Sequence, residues 1–355
     1  MNSARSLARR GPIARIVASV AAGLIALVAL PAAACTLSAS VSTTLGTYSP
    51  SAVKAKAVPA LQSQAGLKCD SALLVLLGGN YIRAKFSSAN ALKLQREGGG
   101  GSVVYKASAD PGGDYPFAQN TTIDYMQNNL LNLLGLLGNS SAELPFFVKP
   151  DDATLPPPGV YKDRITILWN WDLCPGGIKL LGICVGVADV GTGTSVIDVT
   201  LDVTPQNAKM TMSATATWDP VNNTNRPKAI PGSRYAVSAE FTNPDIVALD
   251  STFIDVIIPT PPGASIALDG DMATSGAAIR LVDGSPPSSL VARYQSPGDT
   301  TDDVSFSADR GATWNYAPVL GDLASQAAVT NVKVRARGTM AKTSSFVVRV
   351  PYRVR

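Results

Sequence analysis

The 355-residue sequence contains no histidine. That removes Ser-His-Asp and Cys-His nucleophilic sites, the His-Glu-x-x-His zinc helix and most imidazole-ligated metals. A carboxylate-pair hydrolase or a Ser-Lys centre stays open on composition, but no motif speaks for either. The chain therefore reads as a non-enzyme, with no cofactor and no metal. Glycine-rich Arg96 to Val104, "REGGGGSVV", lacks the Lys-Ser/Thr of a phosphate cradle and opens no helix, so it reads as a hairpin turn. Aspartates at 269, 271, 299, 302, 303 and 309 lack EF-hand spacing and read as loop residues.

A surplus of charge is also missing once the first residues are set aside. Arg5, Arg9, Arg10 and Arg15 precede an apolar run from Ile16 to Leu30, followed by Pro31-Ala32-Ala33-Ala34. This is the pattern of a cleaved export signal over residues 1–34, and cleavage after Ala34 makes Cys35 the first mature residue. Thirty basic residues less those four arginines leave 26 against 26 acidic ones. A neutral mature chain gives nucleic acid or an anionic membrane no electrostatic footing. No later stretch reaches the roughly 18 apolar residues of a membrane span, so no transmembrane segment follows the signal. The chain is expected in the periplasm in transit, then at the cell surface or outside the cell.

Cysteine is scarce but even in number, at Cys35, Cys69, Cys174 and Cys184. In an oxidising compartment nearest-neighbour pairing gives Cys35–Cys69 and Cys174–Cys184, although four cysteines allow three connectivities. A competing reading makes Cys35 a lipidated first residue. Against it, position 32 is Ala where a large aliphatic residue is usual, and lipidation strands Cys69.

What is present in abundance is alternation. Period-two segments run at 73–77, 81–86, 102–107, 146–149, 161–171 and 196–203, then at 209–218, 234–241, 253–258, 277–282, 304–308, 332–337 and 345–352. Turn clusters rich in Gly, Pro, Asn and Asp separate them. The pattern predicts an all-β chain of two antiparallel β-sandwiches in tandem, 35–204 and 209–355, joined by a polar linker at 205–208. Two segments break it: "IDYMQNNLLNLLGLLG" at 123–138, whose leucines cover too much of a helix circumference for one amphipathic face, and "CPGGIKLLGIC" at 174–184, an apolar loop closed by a disulfide. Lys333, Arg335 and Arg337 alternate with Val332, Val334 and Ala336, the signature of a solvated strand face.

Particular residues carry resemblances. "CTLSAS…LGTYSP" from Cys35, "LKCD" at 67–70, "VVYKASADP" at 103–111 and "LPPPGVYKDRITILWNW" at 155–171 resemble the spore coat protein U domain, the family of archaic chaperone–usher pilins and tip adhesins. Its Pro-x-Gly-x-Tyr-x-Asp pattern is matched by Pro157, Gly159, Tyr161 and Asp163, followed by Ile165. "ATWDPVNNTNRPKAIPGSRYAVSAEFTN" at 216–243, "FIDVIIP" at 253–259 and "VSFSADRGATWNYAP" at 304–318 are similar to the DUF11-type immunoglobulin-like surface domains. The first resemblance implies a sandwich lacking one strand, which a periplasmic chaperone and then a neighbouring subunit delivered by an outer-membrane usher complete by strand addition. It also implies apolar contact loops, here Leu130, Leu131, Leu133, Leu134, Leu136 and Leu137, and Ile178, Leu180, Leu181 and Ile183. The function implied is an adhesive or structural surface protein of a pilus, coat or biofilm matrix. The alternative is a free-standing secreted module, both sandwiches complete, that binds carbohydrate or protein.

Overall fold

The structure, a computed structural model, describes residues 35–69, 79–127, 130, 142–174, 178–273 and 277–355. The expected strand at 73–77 and most of the leucine-rich segment lie outside them. Among the described residues no helix is long and apolar enough to cross a membrane. The architecture is all-β.

Residues 35–203 form one set of strands: β1 (Cys35–Leu37), β2 (Ser40–Tyr48), β3 (Leu61–Cys69), β4 (Tyr81–Ser88), β5 (Lys93–Arg96), β6 (Ser102–Ser108), β7 (Thr122–Asp124), β8 (Ala142–Pro150), β9 (Gly159–Leu173), the short pair β10 (Ile178–Leu180) and β11 (Ile183–Val185), and β12 (Asp189–Val203). One layer runs β1-β3-β8-β6, the other β2-β12-β9-β4-β7, with β5 joining β6 to β9. Alternate residues of β9 point inward: Tyr161, Ile165, Ile167, Trp169 and Trp171 are all buried. They meet Phe86, Phe146, Leu67 and Val199 in one core, so the strand's period-two pattern is the imprint of a half-buried sheet. A fully buried side chain of that size contributes about 1.5–3 kcal/mol. The glycine run becomes the expected turn of the β5–β6 hairpin.

Residues 209–354 form a second set: β13 (Lys209–Trp218), β14 (Arg234–Asn243), β15 (Phe253–Pro259), β16 (Ala264–Ile266), β17 (Arg280–Asp283), β18 (Val304–Ser307), β19 (Asn331–Arg337) and β20 (Ser344–Val354). One sheet runs β13-β14-β20, with β16 and β17 both on the far side of β20, and the facing sheet runs β15-β19-β18. Val237, Ala239, Val348, Val350 and Phe346 of the first sheet meet Val256, Ile258, Val332, Val334 and Phe306 of the second in a separate core. Two short helices, α1 (Pro50–Lys54) and α2 (Leu323–Ala327), are each capped by a side chain, Ser49 and Asp322.

Candidate functional site

The apolar loop 174–184 is a hairpin. Ile178 pairs with Val185 and Leu180 with Ile183, while Leu181 and Gly182 turn the chain at φ +51° and +83°. Two positive φ values in a two-residue turn match the right-handed strand twist. Among the described residues nothing covers the tip: Leu181 is fully exposed, Ile183 is 72% exposed, and Leu180, Val185, Val187 and Val190 are exposed beside them. The base is the opposite. Cys174 is buried and bonded to Cys184. The Lys179 side chain is 3% exposed, and its ammonium donates to Asp172 Oδ1 at 2.6 Å, to the Asp172 carbonyl at 3.0 Å and to the Gly79 carbonyl at 3.4 Å. Pulling the hairpin away breaks all three of these bonds and leaves Asp172 without its cation. The hairpin is thus an apolar finger on a fixed root.

The second expected contact loop fares differently. Leu130 is fully buried in the first core, so its side chain packs inward rather than outward toward a ligand. Tyr125 donates to the Pro145 carbonyl at 2.8 Å and packs against Trp169, and its burial pushes the phenol well above the ordinary tyrosine range. Leu131, Leu133, Leu134, Leu136 and Leu137 lie outside the described residues.

The Pro-x-Gly-x-Tyr-x-Asp residues build an anchor. Tyr161 donates its hydroxyl to the Pro157 carbonyl at 2.6 Å. Gly159 sits at φ +149°, where an added Cβ would lie 2.7 Å from Arg96 Nε, and that nitrogen donates to the Pro158 carbonyl. Asp163, buried, accepts from the hydroxyls of Ser88 and Tyr105 at 2.6 Å each and from Asn90 and the Arg164 amide. All four motif residues take part in fastening the entry to β9, Pro157 through its carbonyl.

In the first sandwich β12, a strand of the second layer, is paired on both sides. β12 pairs with β9 along all fifteen of its residues, and its other edge is taken by β2, which runs parallel to it. Over residues 196–203 that edge of β12 is closed by the chain itself. Cys35 is bonded to Cys69, so its sulfur is not available for a lipid thioether.

In the second sandwich, among the described residues, one flank is left uncovered. α2 packs on β16, Tyr316 bridges to β18 and hydrogen-bonds α2 at Ser325. The stretch from Gly284, bonded to β20, to Val291, bonded to β19, crosses on that same side. Hence β16, β17 and β18 close one flank, and β13 and β15 are the edges of the other. Among the described residues β13 pairs only with β14, and β15 only with β19. Met210, Met212, Ala214 and Ala216 of β13 share the inward face with Phe241, Ala239, Val237 and Tyr235 of β14. Yet Met210 is 50% and Met212 45% exposed, because the facing sheet ends at β15, one strand short of covering them. A cavity of about 270 Å³ lined by Ala214, Ala216, Tyr235, Pro262 and Val354 continues this groove. Alternation at Met210 to Ala216 was legible in the sequence; the absence of anything above it was not.

No known protein family matches the chain, and no curated protein does. Among solved structures, the CsuC–CsuE chaperone–tip adhesion subunit pre-assembly complex from archaic chaperone–usher Csu pili of Acinetobacter baumannii matches over 89% of this chain and 94% of that one, at 12% identity and a TM-score of 0.39. A membrane-anchored protein of Corynebacterium diphtheriae matches over 90% of this chain and 50% of that one, at 11% identity and a TM-score of 0.20. Likenesses this loose carry no functional argument, and the chain spans half the length of the second protein.

Proposed function

We propose that this is an exported adhesive or structural surface protein, assembled through strand addition at its second sandwich and making contact through the finger of the first. The observation that carries the reading is the uncovered inner face of Met210, Met212 and Ala214 beside the free edge of β15. A free strand edge next to an apolar face is a hazard unless something covers it. Its shape commits to one kind of occupant, an extended segment of another chain that hydrogen-bonds to β15 and turns every second, apolar side chain onto β13. In an exported protein such segments come from a periplasmic chaperone, and then from a neighbouring subunit at an outer-membrane usher. Two cystine bridges, Cys35–Cys69 and Cys174–Cys184, suit that oxidising route.

The test is hydrogen exchange on the oxidised chain with and without an eight-residue peptide alternating valine and threonine. Saturating peptide is expected to slow exchange of the β15 amides at least tenfold and to leave those of β12 unchanged. A stable monomer whose β15 amides exchange at the same rate with and without peptide overturns the reading. That result would favour a free-standing binding module for carbohydrate or protein.

A further inference from the structure

The backbone nitrogen of Cys35 donates to Asp189 Oδ2 at 2.8 Å, and the other oxygen of that carboxylate accepts the Trp171 indole N–H at 3.1 Å. Cys35 opens β1 in one layer, while Asp189 and Trp171 belong to β12 and β9 in the other. The carboxylate therefore ties the two layers together at the point where the chain enters the fold. It faces two neutral donors, and among the described residues no lysine or arginine forms an ion pair with it. A carboxylate with no cation beside it, 2.8 Å from this backbone nitrogen, would hold an ammonium at that nitrogen more strongly than it holds the amide.

We infer that Asp189 is the receptor for the α-ammonium created on Cys35 when residues 1–34 are removed. The amide that donates in the precursor becomes a cation in the mature chain, and an ordinary hydrogen bond becomes an ion pair across the sandwich. Cys35 is then fastened twice, by its nitrogen to Asp189 and by its sulfur to Cys69. Each fastening requires export: cleavage supplies the ammonium, and an oxidising compartment supplies the cystine. β1 locks into place only in a chain that has left the cytoplasm.

Intact mass of the exported protein reports where it starts, and a start at Cys35 is expected; any other first residue overturns the inference. Asp189→Asn keeps an acceptor for Trp171 and removes the charge. It is measured in two backgrounds, the mature chain and a refolded, oxidised chain that keeps Ala33-Ala34 ahead of Cys35. The substitution is expected to lower the folding equilibrium constant about tenfold more in the mature chain, as a double-mutant cycle on an ion pair reads. Equal losses in the two backgrounds refute the ion pair. Should the variant fail to fold, the wild-type protein decides: its α-amine is expected to react with an acylating reagent at least tenfold more slowly when native than when denatured, and equal rates sink the idea.

Discussion

Tyr105 donates its hydroxyl to Asp163 across 2.6 Å inside the first core, where both side chains are almost wholly buried. Burial first, and the carboxylate second, raise the phenol far above the ordinary tyrosine range, so it stays a donor at any physiological pH. Asp163 receives four further hydrogen bonds at the start of β9. The aspartate is the hub and the tyrosine one of its spokes.

Tyr105→Phe should accordingly cost about 1–3 kcal/mol, the loss of one donor to a charged acceptor that keeps its others. Asp163→Ala orphans every donor at once and should cost more than the tyrosine change, above about 3 kcal/mol. Denaturant midpoints of the two variants rank the costs; an aspartate variant no less stable than the tyrosine variant would contradict the hub.

The finger makes a separable prediction. Replacing Leu180, Leu181 and Ile183 together with Ser removes apolar surface already in water, so the melting temperature should stay within about 2 °C, as surface changes do. Retention of the protein on polystyrene or alkylated beads should fall at least tenfold, because an exposed apolar cluster of this kind acts as a contact site. Lys179→Met tests the root: it strips the cation from the base and leaves Asp172 facing it, so it should loosen the hairpin, read as faster exchange of its amides.

Met212 tests the groove. In the free chain it stands half in water, so Met212→Glu should alter stability by less than about 0.5 kcal/mol. Ala239→Glu, one strand over on the same face but buried, should unfold the sandwich. If a strand adds over β13, Met212→Glu must abolish peptide-induced protection of β15, since the glutamate would be buried without a partner. Protection that survives this change would mean the peptide sits elsewhere.

These contrasts mark how far the residues alone could be read. Tyr161 to Trp171 announced a half-buried strand because its apolar residues alternate with Lys162, Arg164 and Asn170, a purely local signal. Met210 to Ala216 carries the same alternation, and nothing within the strand could say that its inner face would be left bare. That depends on the facing sheet stopping at β15. The parallel pairing of Ser40 to Tyr48 with Val196 to Val203 joins segments about 150 residues apart, and no local pattern in either segment announces it. Leu130, expected in a contact loop, is buried for a related reason: a leucine-rich run does not disclose which of its members the core will take.

Acid should weaken the second sandwich in part through one aspartate. Asp309 accepts from the Thr313 amide at 2.9 Å, from the Ser307 hydroxyl at 2.7 Å and from the Thr313 hydroxyl at 2.7 Å. The Thr313 amide above all, then the Ser307 hydroxyl, hold its carboxyl down at about 2, against about 3.9 for an unfolded aspartate. A folded value below the unfolded one means that the ionised form stabilises the fold. The contribution is complete above about pH 4 and disappears as the pH falls through 2. Asp309→Asn keeps one oxygen to accept with and removes the titration. The denaturant midpoint of residues 209–355, followed within the whole chain by exchange of the β19 and β20 amides, should therefore drop more between pH 5 and pH 2 in the wild type than in the variant. Equal drops would assign the acid sensitivity to other carboxylates and leave the loop from Ser307 to Thr313 without a part in it.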